Sequence, residues 1–133
     1  MTPFPLKIVT PDGTLFDGMA EELIVRTTTG DLGILAGHVN CVAPLGMGRV
    51  TVILDGVRRY AACIGGMLSM MDGKATLVPT TFEWAEDIDV KRAERSYDRA
   101  QAVLRSRESS AADLKLAEAR LRRALVRKSV ASK

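Results

Sequence analysis

Two Asp-Gly pairs leave this chain little freedom across its middle third. Asp55-Gly56 joins RVTVIL (49–54) to VRRYAACI (57–64), and Asp72-Gly73 joins MLSMM (67–71) to KATLV (74–78). A two-residue link between extended segments needs positive φ at its centre to match the strand twist, and Asp-Gly adopts it with little strain. Both links are read as type I′ turns, so this stretch is two β-hairpins. FPLKIVT (4–10), ending at Pro11-Asp12-Gly13, and AEELIVRT (20–27) add strand-like segments. Short strands punctuated this way predict an N-terminal antiparallel β-sandwich or barrel.

The periodicity changes at Ile88. Val90, Ala93, Tyr97, Ala100 and Leu104 recur at steps of three and four, the spacing of one helical face, and Asp87 or Asp89 stands where a helix cap belongs. Ser106–Ser110 interrupts the stripe. A second one follows at Leu114, Ala117, Leu121 and Leu125, with Ser110 and Asp113 spaced as a capping box. Two apolar stripes joined by a short polar link predict a C-terminal antiparallel two-helix hairpin. The chain is thus divided into a β-sandwich over residues 1–87 and an αα-hairpin over residues 88–133. The stripes are narrow and rich in alanine, which buries little area at about 25 cal/mol per Å². The hairpin is therefore expected to dock weakly and to undock at modest cost. Hydrogen exchange as slow in the helices as in the strands would sink that idea.

Charge separates the same two segments. Residues 1–87 hold six Lys/Arg and ten Asp/Glu, a balance of −4. Residues 88–133 hold thirteen and six, a balance of +7, and the whole chain is +3. A basic segment suits an anionic partner: a nucleotide phosphate, a nucleic acid, an anionic lipid or an acidic protein surface. Of 133 residues, 47% are hydrophobic, enough for a packed core.

Several function classes lose ground at this level. Cys41 and Cys63 have no metal-ligand spacing and are read as reduced thiols, so no metal site is assigned. The N-terminus MTPFPLK lacks the pattern of a secretory signal. The longest uncharged run, Leu32–Gly48, contains four glycines, Pro44 and His38 and cannot form an apolar membrane-spanning helix. Membrane association is expected only through a partner. No G-x-x-x-x-G-K-[S/T] loop is present. His38 and Cys41 are three residues apart, a spacing that does not by itself establish a nucleophile–base pair, so no catalytic residue is assigned. Two other classes stay in view. A nucleic-acid-binding module would use the basic hairpin, although Tyr97 is the one aromatic there for stacking. A small hydrolase would use His38 and Cys41.

Five motifs in order carry a resemblance. Ile8-Val-Thr-Pro-Asp-Gly13 with Phe16, Gly30-Asp-Leu-Gly-Ile-Leu-Ala-Gly-His38, Gly65-Gly66-Met67, Ile88-Asp-Val-Lys-Arg-Ala93 and Arg123-Ala-Leu-Val-Arg127 resemble the epsilon subunits of bacterial F-type ATP synthases. The likeness spans essentially the whole chain. Departures are Ala36, where the family often has proline, and Asn40-Cys41, where it usually has Pro-Leu.

The resemblance implies a non-catalytic subunit that couples the gamma subunit to the c-ring, peripheral on the cytoplasmic face of the plasma membrane and contacting no nucleic acid. It implies that Asp31 faces the c-ring loops and His38 the gamma subunit. It also implies a regulatory ATP site between hairpin and sandwich at Glu83, Ile88, Asp89, Arg92, Ala93, Arg99, Arg123 and Arg127, with no cofactor required. Finally, it implies that in an extended, inhibitory form Arg120, Arg122, Arg123, Arg127 and Lys128 meet acidic surface on the catalytic beta (and alpha) subunits. Guanidiniums on both helices are chemically suited to a triphosphate, and Glu83 and Asp89 to an amino group or ribose.

Overall fold

A computed structural model describes residues 2–132. The chain divides into two units between Trp84 and Ala85. The first holds β1 (Phe4–Thr10), β2 (Gly13–Ala20), β3 (Glu22–Thr27), β4 (Gly30–Ile34), β5 (Cys41–Pro44), β6 (Met47–Leu54), β7 (Val57–Met71) and β8 (Lys74–Trp84). They form one sheet in the order β2-β1-β8-β7-β6-β3-β4, with β5 also paired to β7. Its ladders are antiparallel apart from β1 with β8, where Leu6, Lys7 and Ile8 run beside Ala75, Thr76 and Leu77.

Both Asp-Gly links are tight turns with positive φ at each residue: 49° and 75° at Asp55 and Gly56, 50° and 81° at Asp72 and Gly73. They set the register Leu54↔Val57 and Met71↔Lys74. The runs 57–64 and 67–71, separate in sequence terms, are one 15-residue strand. Gly65 and Gly66, with φ of 72° and 116°, bend it without shifting its register against β8, since Ile64↔Thr81 and Gly66↔Pro79 belong to one ladder. A Cβ at Gly66 would run into the Val78 carbonyl oxygen and Pro79 Cα, so the bend and the close strand approach both require glycine. Opposite the bend, β5 gives way to β6. The Leu45 amide donates to Gly66 O (2.9 Å) and the Gly65 amide donates to Gly46 O (3.2 Å).

β7 and β8 are therefore shared by two halves of a sandwich folded over one core. Leu6 and Ile8 of β1, Leu23 and Val25 of β3, Val52 of β6, Leu68 and Met70 of β7 and Leu77 of β8 all join that cluster, none more than 1% exposed. Three strands escape the sequence reading. β2 and β4 are sheet edges with little burial, and β5 has only four residues, so none shows a strong alternation. β4 also occupies the first part of the glycine-rich stretch read as a loop.

In the second unit a 3₁₀ turn (Ala85–Asp87) precedes α1 (Val90–Arg105) and α2 (Ala111–Ala131). Asp89, not Asp87, caps α1: its Oδ1 accepts from the Arg92 amide at 3.0 Å. The Ser106–Ser110 link ends in the expected capping box. Ser110 Oγ accepts from the Asp113 amide (3.1 Å), and the Ser110 amide donates to Asp113 Oδ2 (3.2 Å). Ala93 and Ala100 of α1 and Ala117 and Ala124 of α2 are buried, which gives the hairpin a seam of small side chains.

Candidate functional site

The basic side of the hairpin is set by helical phase. At about 100° per residue, Arg92 and Arg99 each stand one residue before a seam alanine of α1, Ala93 or Ala100. On α2, Arg120 and Arg127 stand three residues after Ala117 and Ala124, and Arg123 stands one before Ala124. In an antiparallel pair these offsets turn all five arginines toward the same side of the seam. A cleft of about 410 Å³ opens there, lined by Ser96, Arg99 and Val103 from α1 and by Asp113, Leu116 and Arg120 from α2. Among the described residues neither Arg99 nor Arg120 has an ion-pair or hydrogen-bond partner. Two guanidiniums thus flank a cleft floored by Ala100 and Ala117, a donor set suited to phosphate or carboxylate oxygens.

The remaining hairpin residues singled out from sequence distribute as follows. Arg122 lies two residues before Ala124 and points away from this side. Lys128 Nζ sits 4.3 Å from the centroid of the Tyr97 ring, and Gln101 Nε2 donates to Tyr97 Oη at 2.9 Å, so the opposite side is closed by a cation–π contact. The five basic residues assigned to a partner therefore do not share one face. One Asp89 carboxylate oxygen is committed to the helix cap. Ile88 is buried, and its amide donates to Ala85 O at 3.3 Å. Glu83 belongs to the first unit, half-buried on β8 opposite Ala62 of β7.

At the β3–β4 end of the sandwich, Asp31 is exposed and pairs with Arg26 directly across the hairpin, Oδ1 to Nε 3.0 Å. Arg26 lies over Gly48, where a Cβ would crowd its side chain, so the pair rests on a glycine-lined surface. His38 Nδ1 lies 2.8 Å from the Val39 carbonyl. A carbonyl only accepts, so Nδ1 carries the proton. Cys41 Sγ, 3.9 Å from that nitrogen, therefore faces a donor and not a base. The nucleophile–base arrangement does not form. Cys63, buried among apolar groups, has its thiol pushed up to about 12 by desolvation.

The outward face of β5, β7 and β8 carries Val42, Met67, Met71 and Val78, each 42–62% exposed, with Met67 and Val78 directly paired. On the same face Ser69, Lys74 and Thr76 lie among them, so the exposed apolar groups form an interrupted row suited to a protein contact. Sequence reasoning missed it, because strand β5 was not recognised. It also missed the Arg26–Asp31 pair, which depends on β4, and the placement of Arg120 beside Arg99. The last was legible in one signal: Ala117–Arg120 repeats the spacing of Ala124–Arg127.

The chain is thus a β-sandwich with exposed apolar side chains on one face, followed by a basic helical hairpin. The matches with known proteins are specific. Residues 3–85 match the family model for the ATP synthase Delta/Epsilon chain beta-sandwich domain, and residues 86–132 match that for its long alpha-helix domain. The ATP synthase epsilon chain of Ruminococcus albus is 41% identical over 134 residues, covering 100% of this chain and 99% of that one. That of Bacillus velezensis is 41% identical over 131 residues, covering 98% of each. The fold also superposes on a chain of the Euglena gracilis mitochondrial ATP synthase, with TM-score 0.81, 22% identity, and coverage of 92% of this chain and 77% of that chain. This chain belongs to the epsilon-chain family of F-type ATP synthases, whose members are non-catalytic subunits.

Proposed function

We propose that this chain couples the central stalk of a rotary ATP synthase to its membrane rotor and brakes ATP hydrolysis through its C-terminal hairpin. In this reading the first unit holds the gamma subunit and the c-ring. The interrupted apolar row bearing Val42, Met67 and Val78 supports a protein contact. Asp31 and His38, on and just after the glycine-rich β4 segment, are the rotor-side residues. The subunit is peripheral on the cytoplasmic face of the plasma membrane, held there by the complex. No helix among the described residues is long and apolar enough to cross a membrane.

The hairpin is a two-state element, docked and permissive or extended and inhibitory. ATP that binds only the docked form shifts the population toward it by its differential affinity. The nucleotide ligands are Glu83, Ile88, Asp89, Arg92, Ala93, Arg99, Arg123 and Arg127. In the extended form Arg120, Arg122, Arg123, Arg127 and Lys128 meet acidic surface on the beta and alpha subunits. Reading the same hairpin as a nucleic-acid module leaves the exposed apolar row and the family membership without a role.

The observation that carries the nucleotide reading is the arginine-lined side of an alanine seam: charge to neutralise phosphates, on an element with little apolar area to hold it rigid. Calorimetric titration of ATP into the purified chain, beside Arg92→Ala, is the test. Binding that the substitution weakens supports an ATP-sensed brake. Absence of binding at millimolar ATP removes the sensing and leaves the coupling role intact. In the assembled complex, charge reversal at Arg123 and Arg127 is expected to relieve inhibition of ATP hydrolysis. Unchanged inhibition counts against the charge contact.

A further inference from the structure

We propose that Asp72-Gly73 is a site of isoaspartate formation and that Glu21 guards the equivalent step at Asp55-Gly56. The chain contains four Asp-Gly steps, beginning at Asp12, Asp17, Asp55 and Asp72. Glycine has no Cβ to shield its amide, so its nitrogen is sterically open to attack the preceding carboxyl group. Two of the steps are held by strand pairing. Asp17 and Gly18 lie opposite Lys7 and Leu6 in the β1–β2 ladder. Gly13 is paired with Thr10, whose hydroxyl accepts from the Asp12 amide and donates to Gly13 O.

The other two steps form a matched pair. Each is a two-residue turn at one end of β7, closed by Leu54↔Val57 or by Met71↔Lys74. Both aspartates are exposed, with φ of 49° and 50°, and the glycines have φ of 75° and 81°. Nothing lies within 4 Å of a Cβ built on either glycine. Backbone φ and steric access are thus alike, and the difference lies in the attacking amide. The Gly56 amide donates to Glu21 Oε1 at 2.8 Å, and the Glu21 amide is itself fixed to Ile53 O at 2.8 Å. That charge-assisted bond must break before the Gly56 nitrogen can turn, and the carboxylate opposes loss of its proton. The Gly73 amide has no partner among the described residues. Side-chain support in that turn comes one residue earlier, where Asn40 Oδ1 accepts from the Asp72 amide at 2.9 Å. The attacking nitrogen is left free.

In the reaction the Gly73 nitrogen bonds to Asp72 Cγ. The amide proton, a solvent proton and one carboxylate oxygen leave as water, giving a cyclic imide. Water then opens the imide. Attack at Cγ restores aspartate, and attack at the main-chain carbonyl leaves the chain running through Cγ. The water lost is regained, and no oxidant or cofactor is needed. The product adds a methylene to the backbone of a two-residue turn, so Met71↔Lys74 no longer closes in register and the Asp72 amide leaves Asn40. The change falls at the Met71 end of the exposed row and frees the segment that carries His38.

The test is prolonged incubation of the full chain at neutral pH. Isoaspartyl methyltransferase with labelled S-adenosylmethionine measures the total, and tryptic mapping locates it, since Asp55 falls in the peptide 50–58 and Asp72 in 60–74. Isoaspartate is expected to accumulate about tenfold faster at Asp72 than at Asp55, the rate effect of one charge-assisted bond. In denaturant the two rates should converge, because only the fold distinguishes them. Glu21→Ala, with unchanged far-UV circular dichroism, should raise the Asp55 rate toward that of Asp72. No isoaspartate at Asp72, an equal rate at Asp55 in the folded chain, or a difference that persists in denaturant overturns the inference. An Asp55 rate unmoved in folded Glu21→Ala overturns the role of Glu21.

Discussion

Replacing Gly66 with alanine tests the account of how one strand serves both halves of the sandwich. The backbone there has φ 116°, and an added Cβ meets the Val78 carbonyl oxygen and Pro79 Cα of the neighbouring strand. The conformation costs a non-glycine residue about 1–3 kcal/mol. The overlap is with backbone, which cannot swing aside, and adds about 1–3 kcal/mol of overpacking. We expect a loss of about 3 kcal/mol, which for a unit of this size lowers the melting temperature by roughly 12–24 °C. The control is Gly56→Ala in the β6–β7 turn, where φ is 75° but nothing lies within 4 Å of the new Cβ. That change isolates the conformational cost, about 1 kcal/mol. Thermal melts followed by the strand-dominated far-UV signal read the difference. Melting of the two variants within about 4 °C of each other would show that the β7–β8 approach relaxes freely, and the argument that this step requires glycine would be wrong.

Other consequences follow from named contacts. Cys63 has its thiol raised from 9.0 to about 12 by burial, so the folded state disfavours the thiolate. Its contribution is full below pH 9 and is lost as pH rises from 9 toward 12, up to about 4 kcal/mol; Cys63→Ala should flatten that part of a denaturant-midpoint-versus-pH curve, and an unchanged curve refutes the burial cause. In a thiol-labelling assay at neutral pH the half-buried Cys41 should react while Cys63 reacts only on unfolding. Asp89→Ala removes the α1 cap and should cost the hairpin about 1 kcal/mol, with Asp89→Asn retaining most of it, as measured by helical circular dichroism on heating. Arg26→Met breaks an exposed pair with Asp31 and should change stability by less than about 1 kcal/mol; a larger loss would mean that the stacking of Arg26 over Gly48 carries the energy.

The sequence by itself determined the elements whose signals are local. Asp-Gly pairs between β-favouring runs can hardly be anything but tight hairpins, and the structure has them with both φ values positive. The three-and-four spacing after Ile88, the Asp89 cap and the Ser110–Asp113 box likewise define two helices with no help from the rest of the chain. Local signals also placed arginines on a helical side, because phase within a helix is fixed by residue number. What only the tertiary structure decided is what strand pairing decides. Gly65-Gly66 reads as a break, yet hydrogen bonds to β8, β5 and β6 on both edges hold the strand through it. β2, β4 and β5 are edge or very short strands with weak alternation, so their existence, and with it the Arg26–Asp31 pair and the exposed row through Met67 and Val78, depends on neighbours distant in sequence. The meeting of Arg99 with Arg120 across one cleft needed both helix phase and the register of the alanine seam. A sequence supplies the first of these, while the second is set only when the two helices pack.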